Sequence, residues 1–293
     1  MTYLILCIFS STGIFLVFKF LDQKNLPSFP VIIINYLVAS FMGFIINADQ
    51  MQVSDILTAG WIPVSILIGF LFIVMFFLVA RSSNEAGISV TTVASKMSVV
   101  FPIAFSIMVD PSDQLTLLKG AAILATLTGV LLTIYEPGKS LQVRKRTFLP
   151  LLLFIGMGLV DSLVKFAQHN HVNDSDTALF SAVLFSMAFL TGMVILPFRK
   201  EGITEFRRLA VWRWGFLLGV VNFGSIYFMV SALNHVNEIG LRIDSSIIYG
   251  ANNIGIVSLS VLAGLLIFKE RLRTVNWVGI AVSVIAIVLF SIS

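Results

Sequence analysis

A chain of 293 residues that is 58% hydrophobic and 12% charged, with a mean hydropathy of +0.99, cannot keep most of its surface in water; a soluble domain carries about 25% charged residues. The net charge of +4 comes from Lys and Arg gathered in loops at helix ends, where membrane orientation signals belong, and this argues against a nucleic-acid surface. The single cysteine, Cys7, excludes an intrachain disulfide framework and a cysteine-based metal site.

A helix needs about 20 apolar residues to cross the hydrocarbon. Such runs lie near 2–20, 30–47, 61–82, 87–109, 115–135, 148–168, 177–197, 214–234, 241–267 and 275–292, which predicts an all-α integral membrane protein of ten transmembrane helices. No basic residue precedes the first run and no small-residue cleavage pattern follows it, so it reads as a membrane helix and not as a signal peptide. Cys7 lies within it and reads as a packing residue. The longest links, 47–60, 136–147 and 198–213, leave no room for a separate soluble domain.

The chain repeats itself. Trp61 pairs with Trp214 and Gly87 with Gly240 at one offset, inside the frames Asn84-Glu85-Ala86-Gly87-Ile88 and Asn237-Glu238-Ile239-Gly240-Leu241. Lys19-Phe20 pairs with Lys165-Phe166, Gly43 with Gly192, and Asp113-Gln114-Leu115 with Glu270-Arg271-Leu272. These pairs divide the chain into five-helix repeats over 1–137 and 138–293. An odd helix number inverts the second repeat relative to the first, and inverted repeats place a substrate site near the midplane. Fifteen Lys and Arg fall on the side of the loops after helices one, three, five, seven and nine, against Lys119, Lys165 and Arg242 on the other. The positive-inside rule therefore places this basic face in the cytoplasm and both ends of the chain outside.

Ionisable residues at membrane depth are costly and mark function by default. Lys96 lies roughly 14 Å and Asp161 roughly 20 Å from the basic-side ends of their helices, at 1.5 Å per residue. The functional reading has Lys96 attracting an anionic group and Asp161 binding an ammonium or a coupling proton. The alternative is a structural ion pair that fixes helix register. Lys165 and Asp244, with Arg242 beside them, read as a second pair, either a gate or snorkelling contact or a part of substrate binding. Arg81 and Lys19, at basic-side helix ends, read as snorkelling residues. Asn222, Tyr227, Tyr249, Asn252 and Asn253 on the eighth and ninth helices, with Thr91, Thr92, Ser95 and Ser98 on the fourth, point to one wet cavity, although such groups also join membrane helices. Asn35 and Tyr36 suit the lining of an entrance. Gly215 and Gly219 read as close helix packing.

Ten helices in two five-helix halves resemble the drug/metabolite transporter superfamily, in particular its EamA-type members. In each half of that family an acidic residue and a Leu lead into a helix with spaced small residues. Glu270-Arg271-Leu272, Gly279 and Ala286 match that frame in the second half; Asp113-Gln114-Leu115, Ala122 and Gly129 match it in the first, with Asp where Glu is usual. Pro102 sits where the family often has proline, and Gly255 occupies that region of the second half. The resemblance spans essentially the whole chain and implies transport without naming a substrate. The family is usually drawn with both termini in the cytoplasm, against the charge count.

No glycine-rich phosphate loop and no His-Glu-x-x-His occurs. His169, His171 and His235 fall in predicted loops and read as solvated. An intramembrane aspartyl hydrolase needs two Asp at one depth, which Asp161 and Asp244 do not offer. The expectation is therefore a non-enzymatic inner-membrane carrier of a small polar metabolite, an amino acid or similar zwitterion or anion, working without a cofactor by alternating access. A gradient of substrate, exchanged solute or protons drives it. Its partners are the solute and the bilayer, with a homodimer left open. A passive channel and a non-transporting membrane enzyme or scaffold are the rival readings.

Overall fold

The computed structural model describes residues 2–46, 60–109, 115–135, 141–171, 177–199, 203–234 and 245–292. Ten helical spans emerge: α1 (Thr2–Gln23), α2 (Ser28–Ile46), α3 (Ile62–Glu85), α4 in two pieces, α4a (Ile88–Met97) and α4b (Val100–Val109), α5 (Leu117–Ile134), α6 (Leu141–His171), α7 (Thr177–Ile195), α8 (Leu209–Asn234), α9 (Ser245–Leu266) and α10 (Thr274–Ser291). All ten are long and apolar enough to cross a bilayer, and there is no strand among the described residues. The protein is a multi-pass, all-α membrane protein. Leu117, Phe198 and Met108, each at least 85% exposed, belong to its lipid-facing surface.

Three boundaries differ from expectation. The fourth run is not continuous but breaks at Ser98 and Val99. Pro102 has no N–H to give the Ser98 carbonyl, and its ring collides with that carbonyl, so the ladder cannot pass through this turn. The backbone tightens instead, with Phe101 N donating to Ser98 O at 3.0 Å and Ile103 N to Val99 O at 3.3 Å. The sixth helix starts at Leu141 and carries His169 and His171 in its last turn, correcting their placement in a loop; His235 lies outside the described residues. The eighth begins at Leu209, earlier than hydropathy marks it.

Helices in lipid gain nothing from hydrophobicity alone and associate where small residues admit close approach. Gly215 and Gly219 of α8 do this against α2, where an added Cβ would come within 2.5 Å of Ile34 and 2.6 Å of Val38. Gly43 of α2 abuts Ala182 of α7, and Gly192 of α7 abuts Ile33 of α2. Beside them the Ser40 and Ser186 hydroxyls are 2.5 Å apart. Helices α5 and α10 form the most intimate pair. Gly129 faces Ser283 and Gly279 faces Thr133, so four residues forward on one helix are four back on the other: the two run antiparallel.

Asn276 closes the end of this seam. Its Nδ2 donates to Thr133 O at 2.8 Å and Tyr135 O at 3.2 Å, satisfying terminal carbonyls of α5, while its Oδ1 accepts from Arg273 N at 3.0 Å. Those carbonyls have no partner within their own helix. Asn276→Ala is expected to destabilise the protein by about 1–3 kcal/mol, the cost of buried acceptors left unmade, read as a lower melting temperature in detergent.

Candidate functional site

Lys96 is the second-last residue of α4a, two before the break at Ser98, and Asp161 lies on α6. Both are half-buried. Their neighbours toward the basic face, Val90 to Ser95, are buried, so the residual exposure of Lys96 marks a change in the wall at this level. The Ser98 hydroxyl connects the two segments. It is 2.6 Å from Ser95 O and 3.3 Å from Asp161 Oδ2, and its one proton serves one acceptor at a time. Lys96 and Asp161 lie within electrostatic reach of each other but do not make a direct ion pair. Direct pairs form instead at helix surfaces, as between Arg81 and Glu85 and between Arg208 and Glu205.

Cys7 is buried in α1. Its thiol on α1 is 1% exposed, donates to Ser225 O of α8 at 3.1 Å, and lies within electrostatic reach of Lys96 and of the Tyr249 hydroxyl on α9. Nothing in an apolar first helix signals this, because the partners are 89 or more positions away in sequence.

The remaining candidates divide. Asn252 is 6% exposed and its Oδ1 has no partner among the described residues, as a ligand contact would require. Ser95 is buried and contributes its carbonyl to Ser98. Tyr249 is 48% exposed. Asn222 is buried beside Asn35 of α2. Tyr227 stacks on Phe223 at 5.8 Å and contacts Phe228, at the outer part of α8. Lys165 is exposed on α6, and Arg242 and Asp244 lie outside the described residues. Asn35 and Tyr36 line no entrance. Both are fully buried, and Tyr36 donates to Phe72 O at 3.0 Å within a ring cluster of Phe72, Phe76 and Phe185.

At the basic face, contacts among the described residues tie helix ends together. Lys19 does not snorkel; its Nζ donates to Ser83 O at 3.0 Å and Asn84 O at 3.3 Å, capping the end of α3. Phe20 packs on Trp214 and Phe268, joining α1, α8 and the end of α9. The Arg199 guanidinium lies over Phe29 and Phe77, 4.8 and 4.2 Å from the ring centres. Glu270, between α9 and α10, reaches across to the start of α4a. Its Oε1 accepts from Ile88 N at 2.6 Å, and its Oε2 accepts from Ser89 N at 3.2 Å and Ser89 Oγ at 2.8 Å. An α-helix leaves these first N–H groups unpaired, and its dipole favours an anion there. Gly87 takes φ = 95°, a backbone that disfavours side chains, and a Cβ on it would lie 2.9 Å from Glu270 Oε1. A Cβ on Gly264 would lie 2.5 Å from Oε2, so two glycines clear the seat of this carboxylate.

No family model matches the chain. It is 26% identical to an uncharacterized protein of Haemophilus influenzae over 97% of this chain and 95% of that one. A solved crystal structure, 13% identical, covers 97% of each chain with a TM-score of 0.51, a likeness of fold alone.

Proposed function

We propose that this protein is a secondary carrier in the inner membrane that moves a small polar metabolite, an amino acid or similar zwitterion, by alternating access between two inverted five-helix repeats. The observation that carries the reading is the half-buried Lys96 and Asp161 pair beside the break in α4. Discontinuous helices bearing polar groups at the midplane are how carriers of this architecture bind solutes.

The contacts support the repeats. Gly43 against Ala182 and Gly192 against Ile33 are the same contact seen from either helix, since each residue of the second pair lies 149 positions from its counterpart in the first. Likewise α1 packs on α8 as α6 packs on α3, and α2 on α8 as α7 on α3. The pairs α2–α7, α4–α9 and α5–α10 each join a helix to its own counterpart. Such a pattern is what a twofold axis in the membrane plane produces.

The test is a panel of zwitterionic and anionic metabolites. A carrier's solute raises the melting temperature of the purified protein, because a ligand bound only to the folded state stabilises it. The same solute, loaded into proteoliposomes, drives saturable counterflow. Flux without saturation or counterflow would instead indicate a pore.

A further inference from the structure

Besides Ser83 at the basic end of α3 and Ser283 in the α5–α10 seam, three buried hydroxyls have no hydrogen-bond partner among the described residues: Thr12 of α1, Thr92 of α4a and Ser260 of α9, which lie between the Lys96 level and the basic face, none of them more than 1% exposed. The ordinary arrangement is present elsewhere in this chain. Ser65, Thr126, Thr133 and Ser186 each donate to the carbonyl four residues back. A buried hydroxyl that forgoes this bond bears a desolvation penalty unless something else receives it.

The three hydroxyls occupy facing surfaces. Thr12 stands one turn from Ile8, which abuts Gly255 of α9. Thr92 follows Ser89 by three residues and Ser260 precedes Gly264 by four, and Ser89 packs against Gly264. Residues three or four apart share a helix face, and one turn is about 5.4 Å. All three therefore border the seam where α1, α4a and α9 meet, inward of Ser89 and Glu270.

We propose that this seam is the closed half of the permeation path, a polar compartment that takes up water and the small polar solute when the basic face opens, and that the Glu270 carboxylate is the strap that holds it shut. The inference rests on the carrier reading for the solute and on geometry alone for the strap. Glu270 belongs to the second half of the chain and grips the first N–H groups of a helix in the first half. Every partner it holds is a main-chain or hydroxyl group at the membrane face, which water can replace at small net cost. A buried ion pair would resist opening because separation strands two charges. Lys19 makes the matching contact to the last carbonyls of α3, so both straps exchange protein partners for water as the seam parts.

The experiment reads accessibility. Thr92→Cys and Ser260→Cys are made separately in a Cys7→Ser background and reconstituted, and a small membrane-impermeant thiol reagent is added to each face in turn. With Glu270 intact, labelling from the basic face is slow. Glu270→Gln, which puts a non-accepting amide nitrogen in place of one of the two carboxylate oxygens that hold Ile88 and Ser89, raises that rate about fivefold or more, the factor expected from one lost hydrogen bond of ordinary strength. Ser89→Ala, which removes one of the three donors, gives a smaller rise in the same direction and serves should Glu270→Gln not fold. An unchanged rate in folded Glu270→Gln and Ser89→Ala, or an equal rise from both faces, overturns the strap. Counterflow by the unsubstituted protein, in separate vesicles, separates the two readings. Flux with unchanged labelling removes the strap and leaves the carrier; labelling as expected without flux of any panel solute removes the carrier and leaves the strap.

Discussion

Lys96→Ala and Asp161→Asn each lower solute flux by about 100-fold, and the double variant recovers stability without recovering transport. Truncating one member of a close charge pair costs about 2–5 kcal/mol in binding, and each 1.4 kcal/mol is tenfold. The expected loss follows if each residue holds one charge of the solute. The double variant separates this from a structural pair. A lone charge at membrane depth costs at least about 2.5 kcal/mol, so each single variant melts lower than the parent, whereas removing both charges strands neither. A structural pair predicts that the double variant transports normally; a binding pair predicts that it does not. Thermal melting and proteoliposome flux on the four proteins give the answer. Full transport in both single variants would eliminate Lys96 and Asp161 from the mechanism.

Gly279→Ala is expected to lower stability by about 1–3 kcal/mol, the usual cost of overpacking, although the same change on an open helix surface stabilises. The added methyl would meet the Thr133 backbone nitrogen and, at 2.5 Å, its Oγ1. Backbone cannot rotate away as a side-chain tip does, so α5 and α10 must separate. Separation also draws Asn276 away from Thr133 O and Tyr135 O. Gly120, on α5, is the control, because a methyl added there would have nothing within 4 Å. At that position Gly→Ala raises stability by up to about 1 kcal/mol, from helix propensity and a smaller entropy loss on folding. Equal melting temperatures for Gly279→Ala and Gly120→Ala would refute the close α5–α10 contact.

Much of the architecture was legible from the chain itself. Runs of apolar residues with few charges identify ten spans because the bilayer sets one length for all of them. Gly215 and Gly219 announced a tight crossing because small residues four apart must share a face. Lys96 and Asp161 stood out because charge within such a run is rare and costly. Pro102 also lay in view, and its consequence, the break at Ser98 and Val99, follows from the missing N–H.

What tertiary structure alone decided is which faces meet. In water a helix advertises its buried side by a stripe of apolar residues. In lipid that contrast fades, since the face toward acyl chains is as apolar as the face toward a neighbour. Hence Asn35 and Tyr36 looked like the lining of an entrance but are fully buried, and Lys19 looked like a snorkelling residue but caps α3. Glu270 is the clearest case. Its partner Ile88 is 182 positions away, and the match of a carboxylate to unpaired N–H groups exists only once two distant helix ends are brought together. The chain's local chemistry set the number, length and charge of its spans; the contacts between remote turns assigned those residues their work.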